Sequence, residues 1–313
     1  MSTAAVARPT SRARIWTALL VASLGWGMAG VATRAALAEG MGPYAIVTLR
    51  TTLGFVIVIA VMAVTGRPMP SRAAWRLGLV LGVVNMAIPY VLTTFAVQNA
   101  SAGFVGLLIA NIPLATAVWA HFLLPDERLH RGRAAGLGVS LAGVIVLMAS
   151  GDSGIGEAGR PLVAVALTMG AMTAAAWAGV FGRRHAPYHG AFELAATQFG
   201  VAAVTQAVLM LAFEGLPREA TPAGWALIGV LGAFSTVVPF VLFYWMLQRI
   251  TATETSLAGY IVPIVGLVGG ALFLGERITP AIIGGGALVL AGVVLTQRSE
   301  HRRRRAVVTD GLR

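Results

Sequence analysis

The sequence predicts an all-α membrane protein, with ten transmembrane helices forming two inverted five-helix repeats around a central cavity. Three observations predict it. Hydrophobic residues make up 57% of the chain and charged residues only 11%, too little polar surface to wrap a soluble globule. Ten stretches are apolar over the roughly 20 residues needed to cross about 30 Å of hydrocarbon. Landmarks also recur between the halves at a nearly constant spacing: Pro89, Gln98, Ala102 and Pro113 answer to Pro239, Gln248, Ala252 and Pro263. One residue out of step, Glu127, Arg128, Gly136 and Gly143 answer to Glu276, Arg277, Gly285 and Gly292. A long internal repeat of this kind implies two copies of one structural unit.

The spans lie near 15–37, 44–64, 74–96, 101–124, 133–150, 161–182, 190–213, 223–247, 252–274 and 279–297. The first follows Arg8, Arg12 and Arg14, as a signal peptide would. It is longer than a signal core and nine spans follow it, so it is kept as a helix. It holds Gly25-Trp26-Gly27, and the second holds Arg50. The third and fourth carry Asn85, Pro89, Tyr90, Asn111 and Pro113, the fourth ends in Trp119 and His121, and the fifth is spaced by glycines. Residues 151–160, with Asp152 and Glu157, form an external linker. The sixth span carries Ala176-Trp177-Ala178, the seventh begins at Glu193, and the eighth and ninth hold Pro239, Tyr244, Glu254, Tyr260 and Pro263. The tenth repeats the glycine spacing of the fifth.

Arginine fixes the expected orientation. All 23 basic residues are arginine, and basic short loops stay in the cytoplasm. With both termini cytoplasmic, only Arg34, Arg160, Arg218 and Arg277 fall outside, and Arg50 lies within a span. Five spans per copy then force the copies to enter the membrane from opposite sides. The organisation expected is a cytoplasmic tail 1–14, a first repeat 15–150, the external linker 151–160, a second repeat 161–297 and a basic cytoplasmic tail 298–313. Inverted repeats commonly build secondary transporters with the substrate near the midplane. The net charge of +11 and the run Arg302–Arg305 read as a topology anchor against anionic lipid rather than a nucleic-acid footprint. Alanine-rich sequence with arginine but no lysine points to a bacterial inner membrane.

The run from Tyr90 through Gln98, Ala102 and Pro113 to Glu127-Arg128 and Gly132, Gly136, Gly138 and Gly143 resembles the EamA-type exporters of the drug/metabolite transporter superfamily. The second repeat echoes it from Phe240 to Gly292, and Gly25-Trp26-Gly27 and Arg50 resemble the family's first two spans. Ala176-Trp177-Ala178 and Gln198 stand in those places in repeat two, so the deep arginine is not duplicated. The resemblance implies a basket of ten helices around a cavity, and export from the cytoplasm.

The expected substrate-binding residues are Trp26, Arg50, Asn85, Tyr90, Asn111, Trp177, Tyr244 and Tyr260. A charge deep in a span costs about 2.5–3.5 kcal/mol on insertion scales, so Arg50 either draws a substrate carboxylate or organises a gate. Amides and phenols in hydrocarbon must find partners; a cargo or a neighbouring helix would serve. Prolines loosen spans 3, 4, 8 and 9, where these groups lie. Gln98, Gln248 and the Glu-Arg pairs are read as helix-end or gating groups. No carboxylate lies at a midplane, there is no cysteine, and no phosphate-binding glycine loop occurs, so no cofactor, metal or ATP is expected. The expected partners are a small-molecule substrate and membrane lipid, with no nucleic acid, and the chain is expected to act as a monomer. The function expected is secondary export of small metabolites by alternating access, with amino acids or aromatic and amphipathic compounds preferred. Efflux of drugs or other metabolites is the alternative. A polytopic enzyme acting on a lipid-linked substrate would have to rely on Asp126, Glu127 and His130, which are too sparse for an active site.

Overall fold

A computed structural model describes residues 12–124, 129, 131–185, 189–247 and 258–310. Among them every regular element is helical. In chain order these are α1 (Arg12–Ala38), α2 (Pro43–Val64), α3 (Arg72–Leu81, Gly82–Ala87 and Ile88–Asn99), α4 (Ala102–Ile109 and Ile112–Leu123) and α5 (Arg131–Ala149). They continue as α6 (Pro161–His185), α7 (Ala191–Phe213), α8 (Pro222–Gly229, Val230–Val237 and Val238–Leu247), α9 (Ala258–Leu274) and α10 (Pro280–Asp310).

Nine of these helices are long and apolar enough to cross a membrane among the described residues, and Gly259–Leu274 is a shorter apolar helix. The difference from ten arises in α9, because the expected span begins at 252 and residues 248–257 lie outside those described. The basic tail, expected to leave the span at 298, instead continues α10 as helix through Asp310; alanine and arginine are both strong helix formers.

Proline shapes the helices that carry the polar groups. Pro89 and Pro239 each follow a widened π-helical segment, Gly82–Ala87 in α3 and Val230–Val237 in α8. Proline has no N–H and its ring crowds the carbonyl one turn back, so the turn before it opens. Pro113 follows a break in the helix instead: α4 stops at Ile109 and restarts at Ile112.

The principal helix packings match when the two halves are exchanged. α5 packs on α10, α2 on α7 and α4 on α9; α1 packs on α8 and α9 as α6 packs on α3 and α4, and α2 packs on α8 as α7 packs on α3. One of these crossings, α5 on α10, is made by glycine. A Cβ on Gly136 would sit 2.7 Å from the Gly292 carbonyl oxygen, and one on Gly143 would sit 2.6 Å from that of Gly285. Each glycine thus meets the repeat counterpart of the other. Small residues that let backbones touch replace the hydrophobic drive that lipid removes. Elsewhere Phe104, Leu108, Leu147 and Ile282 fill one apolar core, and Met62, Met86, Phe199 and Val237 fill another. The outer faces remain apolar, as with Val204, Val208 and Leu211 on α7.

Candidate substrate site and the tied helix ends

α2 starts at Pro43, so Arg50 lies about 10 Å along the helix at 1.5 Å per residue. Its residue exposure is 7%. The guanidinium Nε and Nη2 donate to Thr236 Oγ1 at 3.2 and 3.0 Å, and its central carbon lies 4.4 Å from the centroid of the Tyr90 ring. Thr236 belongs to the π-helical segment of α8 and spends its own proton on the Leu231 carbonyl at 2.7 Å, which aims its lone pairs at Arg50. Arg50 is therefore held by a neutral hydroxyl and a ring face. Neither cancels its charge.

A second polar pair crosses the halves at the exchanged position: Asn85 of α3 donates to Gln198 of α7 at 2.8 Å. Where one crossing holds a cation, the other holds two amides. Between them, Thr51 donates to Gln206 at 2.7 Å, and the Gln206 amide reaches the Ala87 carbonyl at 3.5 Å, inside the widened turn of α3. Three buried hydroxyls, Ser23, Thr48 and Ser235, have no hydrogen-bond partner among the described residues. They lie on α1, α2 and α8, which pack on one another. A buried hydroxyl without a partner costs about 1–3 kcal/mol, so these groups call for water or a polar ligand.

The structure thus brings Arg50 and Tyr90 together, and Asn85 into the matching pair. Trp26 is half-buried between Gly25 and Gly27, which press on Pro239 and Val265. Trp177 stacks on Phe181 at 5.0 Å, in a column that ends on His185. Asn111 is engaged elsewhere: its amide donates to the Leu108 carbonyl at 3.0 Å and its oxygen accepts from Ser140 of α5. Tyr260 donates to Gln297 of α10. The Tyr244 side chain, Asp126, Glu127-Arg128, His130, Gln248 and Glu254 lie outside the described residues.

On the face where α1, α7 and α9 end and α2, α4 and α8 begin, three carboxylates tie one half to the other. Glu39 accepts from the Thr221 hydroxyl at 2.5 Å, and Glu214 accepts from the Tyr44 and Ala45 amides at 2.7 and 3.0 Å. Glu276 accepts from the Ala102 and Gly103 amides at 2.7 and 3.4 Å and lies 3.5 Å from Arg34 Nε. Free amides and the positive end of the helix dipole make such N-termini natural carboxylate sites. Burial pushes the Glu276 carboxyl above its ordinary range, against the opposing pull of those amides and Arg34. Beside it lies a cavity of about 460 Å³. Sequence reasoning read Arg34 only as an external arginine and passed over Glu214, Gln206 and Thr236. The spacing of Thr236 just before Pro239 was the signal available for the last.

A model of the EamA-like transporter family matches residues 14–149 and 162–298. The chain belongs to that family. It is 24% identical to the uncharacterized transporter YoaV of Bacillus subtilis (strain 168), over 93% of this chain and 99% of that protein. It is 27% identical to a probable terminal-alkyne amino-acid exporter of Streptantibioticus cattleyicolor, over 96% of this chain and 98% of the relative. A protein of known crystal structure superposes with a TM-score of 0.64 at 20% identity, covering 93% of this chain and 99% of that one; at that identity the likeness concerns the fold. The apolar helices and this membership together make the EamA-like chain a multi-pass membrane transporter.

Proposed function

We propose that this EamA-like chain exports small carboxylate-bearing metabolites, amino acids and their aromatic relatives among them, across a bacterial inner membrane. It works as a secondary transporter with both termini cytoplasmic. Ten spans in two inverted halves alternate access to a cavity between them, and the exchange symmetry of the helix packing supports this reading. The observation that carries the substrate class is Arg50: a buried guanidinium whose described partners, Thr236 and Tyr90, are both neutral. A cation in hydrocarbon needs a countercharge, and a cargo carboxylate supplies one. Asn85 and Gln198 at the matching crossing offer amides to the neutral part of the cargo. The name of the Streptantibioticus relative, an amino-acid exporter, agrees with a carboxylate cargo.

The test is flux in liposomes of purified protein, with a panel of labelled amino acids, the matching amines and cationic dyes, run with and without a pH gradient. Saturable flux of the acids, lost in Arg50→Gln while the protein still folds, is the expected result. Movement of amines or dyes that survives Arg50→Gln overturns the proposal.

A further inference from the structure

The cavity beside Glu276 is apart from the Arg50 site, and none of the residues that line it belongs to the central polar cluster. We infer that it is an exit vestibule that binds a small zwitterion. This deepens the export reading above and rests on its orientation, in which this face is external. Two guanidiniums, from Arg34 and Arg277, and two carboxylates, from Glu157 and Glu276, line one space of about 460 Å³. That volume falls within the range of small-molecule sites. Paired charges of both signs in one cavity suit a ligand carrying both. A bare anion would meet Glu157 and Glu276, and a bare cation would meet the arginines.

The wall is preset for such a ligand. Of the five N–H groups of a guanidinium, Arg34 commits Nη1 to the Val97 and Ala100 carbonyls at 2.8 and 2.9 Å and turns Nε to Glu276. The two on Nη2 have no partner among the described residues. A cargo carboxylate takes them, leaving the ammonium to Glu157, which is exposed. Gly154, Gly156 and Gly275 line the same space with φ of 77°, 73° and 63°, a conformation open to glycine but costly for other residues. They bend the linker and the α9–α10 turn around the opening. The Gly154 carbonyl accepts from the Arg277 amide at 3.0 Å, which fixes one loop against the other. A ligand carboxylate on Nη2 leaves Nε turned to Glu276, so Glu276 keeps its bonds to the Ala102 and Gly103 amides when the vestibule is occupied.

The chain has no cysteine, so a single one can report on the vestibule. Ile155→Cys and Leu274→Cys, both in the wall, are made separately in the full-length protein in intact cells and treated with a membrane-impermeant thiol reagent. L-alanine at roughly ten times its dissociation constant is expected to slow modification about tenfold, by the factor 1 + [L]/Kd. Propionate and ethylamine, each with one of its charges, should not. Arg277→Gln and Glu157→Gln, both exposed, should abolish protection while leaving the ligand-free labelling rate unchanged, which shows that the fold is intact. The inference is overturned if L-alanine protects neither cysteine, if propionate protects equally well, or if either cysteine reacts only after permeabilisation or not at all. Liposome flux separates this outcome from the transport reading: flux without protection removes the vestibule alone, whereas protection without flux removes transport and leaves the site.

Discussion

Replacing Arg50 with methionine should stop transport while costing little stability, and the structure gives the reason in numbers. The arginine loses about 2.5–3.5 kcal/mol by sitting inside the membrane. It recovers about 1.5–3 kcal/mol from charged hydrogen bonding to Thr236 and about 2 kcal/mol from the Tyr90 face when desolvated. The gains exceed the cost by about 0–2.5 kcal/mol, and methionine adapts to irregular apolar space, so Arg50→Met should lower the unfolding free energy by about 1 kcal/mol and by no more than about 2.5 kcal/mol. Removing only the acceptor is worse. Thr236→Val leaves a buried guanidinium short of its hydroxyl and should cost about 1.5–3 kcal/mol, more than removing the charge itself. In the Arg50→Met background the same change should cost much less, because only the bond to Leu231 remains to be lost. Denaturant unfolding of the four proteins in detergent gives the coupling energy directly, and liposome flux runs alongside. A loss above about 3 kcal/mol for Arg50→Met would refute the reasoning and make the arginine a structural group. So would a coupling energy below about 0.5 kcal/mol.

Three further outcomes follow from the same contacts. Gly136→Val should destabilise the α5–α10 crossing by about 1–3 kcal/mol or more, because its Cβ meets the backbone of Gly292 and Thr296. Gly138→Ala on the same helix, where a Cβ meets nothing within 4 Å, should be neutral or gain up to about 1 kcal/mol; a similar loss in both would place the effect outside the crossing. Glu276, whose carboxyl titrates above its ordinary 4.5 because of burial, binds more proton folded than unfolded. Its contribution is therefore present below pH 4.5 and fades as pH rises through the folded value. The melting temperature of the native chain minus that of Glu276→Gln should accordingly fall with rising pH, and a rise would mean that the amides and Arg34 outweigh burial. Glu214→Ala should cost about 1 kcal/mol, as loss of an N-terminal cap does, with Glu214→Gln restoring part of it; equal melting of all three would show that the bonds to Tyr44 and Ala45 carry no weight.

The helical, membrane-spanning fold was legible because it rests on quantities local to the sequence, above all apolar length. Pro89 and Pro239 even marked the helices whose turns widen. Individual contacts were less accessible, since a polar residue's partner depends on how helices distant in sequence rotate against each other. Asn111 carries the same amide as Asn85 and, like it, shortly precedes a proline. Yet Asn111 lies in the break of α4, where it bonds the Leu108 carbonyl and meets Ser140, whereas Asn85 reaches Gln198. Thr236 was hard to single out for a further reason: a threonine in a helix ordinarily donates to its own backbone, as Thr236 does to Leu231, and which group its lone pairs then meet depends on a helix far away in sequence.

Arg50 and Glu214 act on one rigid helix, and that joins the site to the tied face. Glu214 holds the amides of Tyr44 and Ala45 at the first turn of α2, and Arg50 follows less than two turns later, a rise of under about 10 Å. Both partners of α2 there, Glu214 of α7 and Thr236 of α8, come from the other half. Any motion that parts the halves at this face must stretch the carboxylate tie and the Arg50–Thr236 bond together, because α2 between them is continuous. On the reading proposed above, a cargo carboxylate at Arg50 would weaken the second of these bonds by competing with Thr236 for the guanidinium, and would so link binding to opening at the end of the helix that carries it.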